Sequence, residues 1–200
     1  MKYERIQEMF RYITPGLYLL ALVLVINFEK IAGVPDILDA LKDLSAIIIV
    51  LLPFVGFVLG YFIECVMTLI ERGLYGIGVP RPSRIVLGGK CKQYVLADDI
   101  LTAVLNGGSV RSNDDSNKYQ QTAKQKVGAN DIVTRHYYIS IMARHILGAQ
   151  LTISIYYLGF AGGWSWWNLA GAVVMVALLA YFWYHQNCVY MKYLFAEYGK

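Results

Sequence analysis

The stretch AIIIVLLPFVGFVLGYFIECVMTLI, residues 46–70, decides the fold class of this chain. Its 25 residues carry one charge, at Glu64, and Glu71 and Arg72 follow it directly. An α-helix rises 1.5 Å per residue, and about 20 apolar residues cross the hydrocarbon core of a bilayer. The segment therefore predicts a transmembrane helix.

The composition of the whole chain agrees with a membrane protein. Hydrophobic residues make up 57% of the 200 positions and charged residues only 16%, against roughly 25% charged residues in soluble domains. The net charge of +4 comes from basic residues that flank the apolar runs. This pattern does not form the basic patch of a nucleic-acid-binding domain, and no direct nucleic-acid binding is expected.

Three more apolar runs predict an all-α, polytopic protein with four transmembrane helices. The predicted organisation is an amphipathic interfacial helix at 1–13, a break at Thr14-Pro15-Gly16, transmembrane helices one and two within 16–72 with an extracytoplasmic amphipathic helix at 36–45, a cytoplasmic basic loop at 73–135 with a helix at 93–105, and a transmembrane hairpin within 136–200. In the hairpin, the third span covers about 144–163 and extends a helix from about 131. The fourth span covers 164–184.

The distribution of Lys and Arg predicts the orientation. Three lie before residue 12, ten within 72–135, and three more at Arg144, Lys192 and Lys200, whereas only Lys30 and Lys42 fall on the other side. Cytoplasmic loops carry the excess of basic residues. We therefore expect a multi-pass protein of the bacterial cytoplasmic (inner) membrane with both termini in the cytoplasm.

A stripe at four-residue spacing marks one face of the second span: Gly56, Gly60, Glu64 and Thr68. Small residues at this spacing let another helix approach closely, and an intramembrane carboxylate faces a partner or a water-filled cavity. The stripe predicts either helix packing or a pore lined by several Glu64 side chains in an oligomer. The alternative is that Glu64 lies near the interface or is tied down by Arg144 or a tyrosine.

The segment after this span is basic and rich in Gly and Pro. It predicts irregular structure in contact with anionic lipid head groups, through Arg72, Arg81, Arg84, Lys90 and Lys92. The alternative is a purely topological role for these charges. The polar stretch 106–130 predicts a flexible, solvated loop. The run at 112–117 within it is assigned to the same loop and not to a calcium site, because it lacks the glycine and glutamate of a calcium loop.

His145 and His185 each lie at the cytoplasmic end of a predicted span. Two facing histidines could ligate haem or a metal. The favoured interpretation is that both are amphipathic interfacial residues, so no cofactor is expected.

The stretches GYFIECVMTLIERGLYGIGVPRPS (60–83) and RHYYISIMARHILGAQ (135–150), separated by a polar loop and followed by a membrane hairpin, give the chain its layout. This layout resembles that of small four-span bacterial proteins that accompany anti-phage systems, among them CRISPR accessory membrane proteins and membrane effectors of nucleotide signalling. The resemblance implies a role in antiviral defence. A nuclease motif of some such accessories, in which four to six residues separate an arginine from a following histidine, is absent, and no active-site residue is carried over.

Together these features predict a non-enzymatic, oligomeric membrane protein that forms a pore or perturbs the membrane. Its loop at 73–135 would sense a cytoplasmic protein or nucleotide partner. A single four-span chain has little interior for a conduit, so we expect homo-oligomers. Two alternatives stay open: a membrane-bound redox or lipid-modifying enzyme that uses His145, His185 or Asp98, and a scaffold subunit of a larger membrane complex.

Overall fold

A computed structural model describes residues 2–27, 45–89, 91–127 and 130–200, and the side chains from residue 11 onward except 28–49, 90, 128 and 129. The described part is all-helical, as predicted. Its helices are α1 (Lys2–Ile26), α2 (Ser45–Gly76), α3 (Pro82–Leu87), α4 (Asp98–Leu105), α5 (Asn113–Val127), α6 (Asp131–Gly159) and α7 (Trp166–Tyr198), with a 3₁₀ turn at Lys92–Tyr94.

Two of the described helices are long and apolar enough to cross a membrane, over Val50–Gly76 of α2 and Trp166–Tyr198 of α7. Only 22% of the most apolar window of α2 and 6% of that of α7 is buried inside the chain. The apolar part of α1, Arg11–Ile26, is shorter. The structure thus supports two membrane-length helices out of the four spans predicted.

The chain divides into two compact units. The first unit comprises residues 1–68 and 144–180, and the second comprises 69–143 and 181–200. In the first unit, α1, α2 and α6 pack closely around the buried side chains of Ile63 and Met67. The second unit has its own apolar core, in which Phe195 is fully buried.

The predicted break at Thr14-Pro15-Gly16 is wrong, because α1 runs without interruption from Lys2 to Ile26 and contains Pro15. A proline inside a helix removes one backbone hydrogen bond. Here tertiary packing outweighs that loss, since Pro15 and Gly16 are both buried and Gly16 lies directly against the backbone of α2 at Gly56. Whether the first turns of α1 lie in the membrane interface stays a prediction.

Some of the other predicted helix boundaries agree with the structure and some do not. The helix that contains the predicted third span begins at Asp131 as expected, and the turn between α6 and α7 contains Gly162 at φ 77°. The helix predicted at 93–105 is shorter, and the basic segment is less irregular than expected because α2 continues to Gly76 and Pro82 opens α3. The helix predicted at 36–45 lies outside the described residues.

The flexible loop predicted at 106–130 is also wrong in part, because Asn113–Val127 forms α5. The Oγ of Ser112 accepts a hydrogen bond from the backbone N–H of Asp115, and the Asp115 carboxylate accepts one from the N–H of Ser112, both at 3.1 Å. This is a capping box. The Ser112 side chain and then the N–H groups of Arg111 and Ser112 lower the pKa of the Asp115 carboxyl.

Replacing Ser112 by alanine is expected to destabilise the second unit by about 1 kcal/mol, since the substitution removes the acceptor that caps α5. The matched control is Thr122→Ala, an exposed hydroxyl later in the same helix that bonds only the Lys118 carbonyl. Native-state hydrogen exchange of the α5 amides measures the effect. Equal exchange in the two variants would contradict the capping role.

Candidate functional site

The stripe of the second span lies on the face of α2 that meets α1 and α6. At its centre, the Glu64 side chain is 19% exposed. One turn later, the Thr68 hydroxyl donates to the Glu64 carbonyl oxygen at 2.8 Å. This leaves the Thr68 oxygen free to accept, so the hydroxyl and the carboxylate present acceptors side by side.

Arg144 of α6 binds both acceptors; it is the residue at which α6 enters the first unit. One guanidinium nitrogen donates to Glu64 Oε1 and the other to Thr68 Oγ1, each at 2.8 Å. The Arg144 side chain is 12% exposed. A planar guanidinium suits this paired recognition better than a lysine amine would. The pairing of Glu64 with Arg144 is the alternative that the sequence offered to a pore-lining carboxylate.

A second arginine reaches the same carboxylate from α1. The Arg11 guanidinium lies 3.5 Å from Glu64 Oε1, with the side chain 16% exposed, and it also lies over the Tyr12 ring at 5.2 Å. This ion pair is longer than that of Arg144, so its hydrogen bond is weaker. The main contribution of Arg11 is to link α1 to the Glu64 carboxylate that Arg144 of α6 also binds.

His145 completes the cluster from α6 and is fully buried. Its Nδ1 lies 3.1 Å from the Arg11 carbonyl oxygen, and its Nε2 is hydrogen-bonded to Glu64 Oε2. A carbonyl oxygen only accepts, so Nδ1 must carry a proton. The bond between Nε2 and Oε2 needs one more proton, held by the imidazole or by the carboxyl. This hydrogen bond between His145 and Glu64 links α6 to α2.

The small residues of the stripe set the distances that make this cluster possible. A Cβ added at Gly60 would lie 1.9 Å from the Tyr12 carbonyl oxygen, and one at Gly16 would lie 1.8 Å from that of Gly56. A Cβ on Gly148 of α6 would lie 2.7 Å from the side chains of Ile63 and Met67. Only glycine permits these approaches, which place Arg11 and His145 within reach of Glu64.

The predicted head-group residues lie in the second unit, and two of them make internal contacts. The guanidinium of Arg81 donates to Asn117 at 3.2 Å and covers the Tyr75 ring, and its backbone N–H donates to Asn113. Arg84 donates to the Arg111 carbonyl at 2.9 Å. These contacts fix the segment 80–84 against α5. Arg72 and Lys92 are exposed, and Lys90 lies outside the described residues.

His145 and His185 have separate partners. His185 Nδ1 lies 2.5 Å from the Tyr94 hydroxyl, and the ring stacks on Tyr181. Within the described ranges, no group of three or more histidine, cysteine, aspartate and glutamate side chains is arranged to hold a metal ion. Asp98 lies in the first turn of α4, where the helix dipole favours a carboxylate.

Sequence reasoning missed two of the three residues that bind the Glu64 carboxylate, Arg11 and His145. Arg11 was assigned to an interfacial helix and His145 to the membrane interface, although each was visible as a charged or polar residue beside an apolar run. The glycines at Gly56 and Gly60 indicated a close helix approach, but not that α1 and α6 are the helices that meet at Glu64. The capping pattern Ser112-x-x-Asp115 was missed in the same way.

The fold and the cluster define a class: an α-helical protein with two membrane-length helices and a partly buried ion cluster joining three helices. Comparisons with protein-family models, curated proteins and solved structures gave no match.

Proposed function

We propose that this chain is a non-enzymatic protein of the bacterial cytoplasmic membrane, with four spans and cytoplasmic termini, which self-associates and permeabilises the bilayer. The proposal includes the role in anti-phage defence that the layout implies, with residues 73–135 as the part that meets a cytoplasmic partner. Support for membrane insertion comes from α2 and α7, whose apolar windows are mostly unburied and need lipid or neighbouring copies to cover them.

One observation carries the permeation step: Glu64 is bound by Arg144, Arg11 and His145 in a single chain. A carboxylate with these partners does not face a conduit, so we assign the structure to a closed state. Separating the cluster would leave charged groups in the hydrocarbon region, where they require water. Release of Glu64 is therefore the proposed step that admits water between the helices.

Leakage of a fluorescent dye from liposomes tests this proposal. We expect low leakage with the wild type and several-fold higher leakage with Glu64→Gln and with Arg144→Met, since each variant removes one side of the cluster. Glu197→Gln is the control, because Glu197 pairs only with the exposed Lys200. Size-exclusion profiles of all proteins establish that the variants remain monodisperse.

Two results would overturn the proposal. Leakage of both cluster variants at the wild-type rate would remove the link between Glu64 and permeation. A strictly monomeric protein by native mass measurement, without leakage for any variant, would exclude a pore built from several copies.

A further inference from the structure

A cleft of about 210 Å³ lies within the second unit, in the angle between α5, α6 and α7. Its lining consists of Lys124, Val133, Thr134, Tyr137, Tyr190 and Leu194. The floor is apolar, since Val133 and Leu194 belong to the core of this unit. A volume several times the ~30 Å³ share of one liquid water holds a small polar group.

Four polar groups line this cleft, and the three hydroxyls among them have no hydrogen-bond partner in the described part of the chain. Tyr190 is only 5% exposed, yet its hydroxyl makes no hydrogen bond there, and its ring packs on Tyr137 at 5.4 Å between centroids. The side-chain oxygens of Thr134 and Tyr137 also make no hydrogen bond with the described residues, whereas the Lys124 side chain is exposed and interacts electrostatically with the Glu71 carboxylate. The Tyr190 hydroxyl is not fully enclosed, so it opens onto the cleft, where a bound molecule would satisfy it.

The chemistry of these groups indicates an anion rich in oxygen acceptors. The Lys124 amine and the three hydroxyls all donate hydrogen bonds, and four donors exceed what one carboxylate group usually engages. Val133 and Thr134 lie in the first turn of α6, whose positive end favours an anion. Asn130 already caps this turn by accepting from the N–H groups of Ile132 and Val133.

The charges around the cleft are mixed. Protein atoms packed about the Lys124 amine lower its pKa, and the Glu71 carboxylate opposes that shift and favours the charged form. Asp131 and Arg135 are exposed neighbours on α6 and do not line the cleft. A bound anion would supply the counter-charge that Lys124 lacks at hydrogen-bond distance.

We propose that this cleft binds a phosphate group, held by the Lys124 amine and the hydroxyls of Thr134, Tyr137 and Tyr190. The group could belong to a soluble phosphate monoester or to the head group of an anionic lipid, since both present the same oxygens. The inference goes beyond the permeation proposed above, because phosphate binding is measured without any flux across a membrane.

Isothermal titration of the full chain in phosphatidylcholine nanodiscs with inorganic phosphate tests the site. We expect saturable binding, weakened about tenfold by Tyr190→Phe, which removes one hydrogen bond to a charged group and keeps the ring. Lys124→Met is expected to weaken it at least as much. The controls are Lys118→Met and Tyr193→Phe, an exposed lysine of α5 and an exposed tyrosine of α7 outside the cleft.

The outcomes separate cleanly. Absence of saturable phosphate binding by the wild type would overturn the proposal, and so would equal affinity in Tyr190→Phe, Lys124→Met and the two controls. Nanodiscs containing phosphatidic acid identify the source: competition with free phosphate assigns the cleft to a lipid head group, and unchanged affinity assigns it to a soluble phosphate. Matching thermal unfolding of Tyr190→Phe and the wild type excludes misfolding as the cause of a loss.

Discussion

Replacing Glu64 by glutamine is expected to lower the free energy of unfolding by about 3 kcal/mol, near the lower end of the range for breaking one side of a buried ion pair. The carboxylate keeps 19% of its exposure, and this moderates the loss. The variant removes the negative charge that Arg144 and Arg11 surround. It also puts an amide group in place of the carboxylate oxygen that is hydrogen-bonded to His145 Nε2.

Unfolding in mixed SDS micelles, followed by far-UV circular dichroism, measures this loss. Glu197→Gln is the matched control, because its partner Lys200 lies at 2.8 Å, the same distance as that between Arg144 and Glu64. The Lys200 side chain is 69% exposed, and exposed pairs contribute about 0–1 kcal/mol. The two ion pairs have equal distances but unequal burial, so we expect Glu64→Gln to lose much more free energy of unfolding than Glu197→Gln.

A double-mutant cycle tests whether Glu64 and Arg144 act together. The double variant Glu64→Gln with Arg144→Gln should lose clearly less stability than the two single variants combined, because the second substitution removes a cation that the first has left unpaired. If the losses add instead, the two side chains contribute independently, and the interpretation of the cluster as one interaction is wrong.

The fold was predictable where a sequence pattern is compatible with only one kind of structure. Residues 46–70 contain one charge in 25 positions, and no other structure satisfies the backbone of so long an apolar run in a bilayer. The start of α6 at Asp131 was predicted from its change in composition. Both predictions depend on a property summed over many residues.

The errors arose where one local rule was set against tertiary structure. Pro15 alone predicts a break, but burial of Pro15 and Gly16 holds α1 continuous. The polar composition of α5 predicts a loop, but the reciprocal bonds of Ser112 and Asp115 and the buried contact of Ser116 with Ser83 order its first turns. In both cases the local signal predicted less helix than the tertiary contacts and the capping bonds stabilise.

The cluster at Glu64 was predictable only in part. An intramembrane carboxylate requires a partner, and this rule identified Arg144. It did not identify Arg11 and His145, and distance along the chain is not the reason, since Arg144 and His145 are separated from Glu64 by 80 and 81 positions. Which side chains converge on one carboxylate depends on the approach of the helix backbones, and that approach is set by glycines on three helices, α1, α2 and α6.

The glycine contact itself leads to the second large effect: Gly60→Ala is expected to destabilise the first unit by about 3 kcal/mol or more, at the upper end of typical overpacking. The added Cβ would lie 1.9 Å from the Tyr12 carbonyl oxygen and 2.9 Å from the Tyr12 Cα. Both are backbone atoms, so no side-chain rotation can relieve the clash. The backbones of α1 and α2 must separate.

The same separation should weaken the ion cluster, because the Arg11 carbonyl that binds His145 directly precedes Tyr12. Gly73→Ala is the control within α2, since a Cβ there meets nothing within 4 Å and should stabilise the helix by about 0.5–1 kcal/mol. Unfolding in mixed micelles therefore predicts opposite signs for two chemically identical substitutions in one helix. A common sign, or a Gly60→Ala loss below that of a mild surface change, would mean that the close approach of α1 to α2 does not hold the Glu64 cluster together.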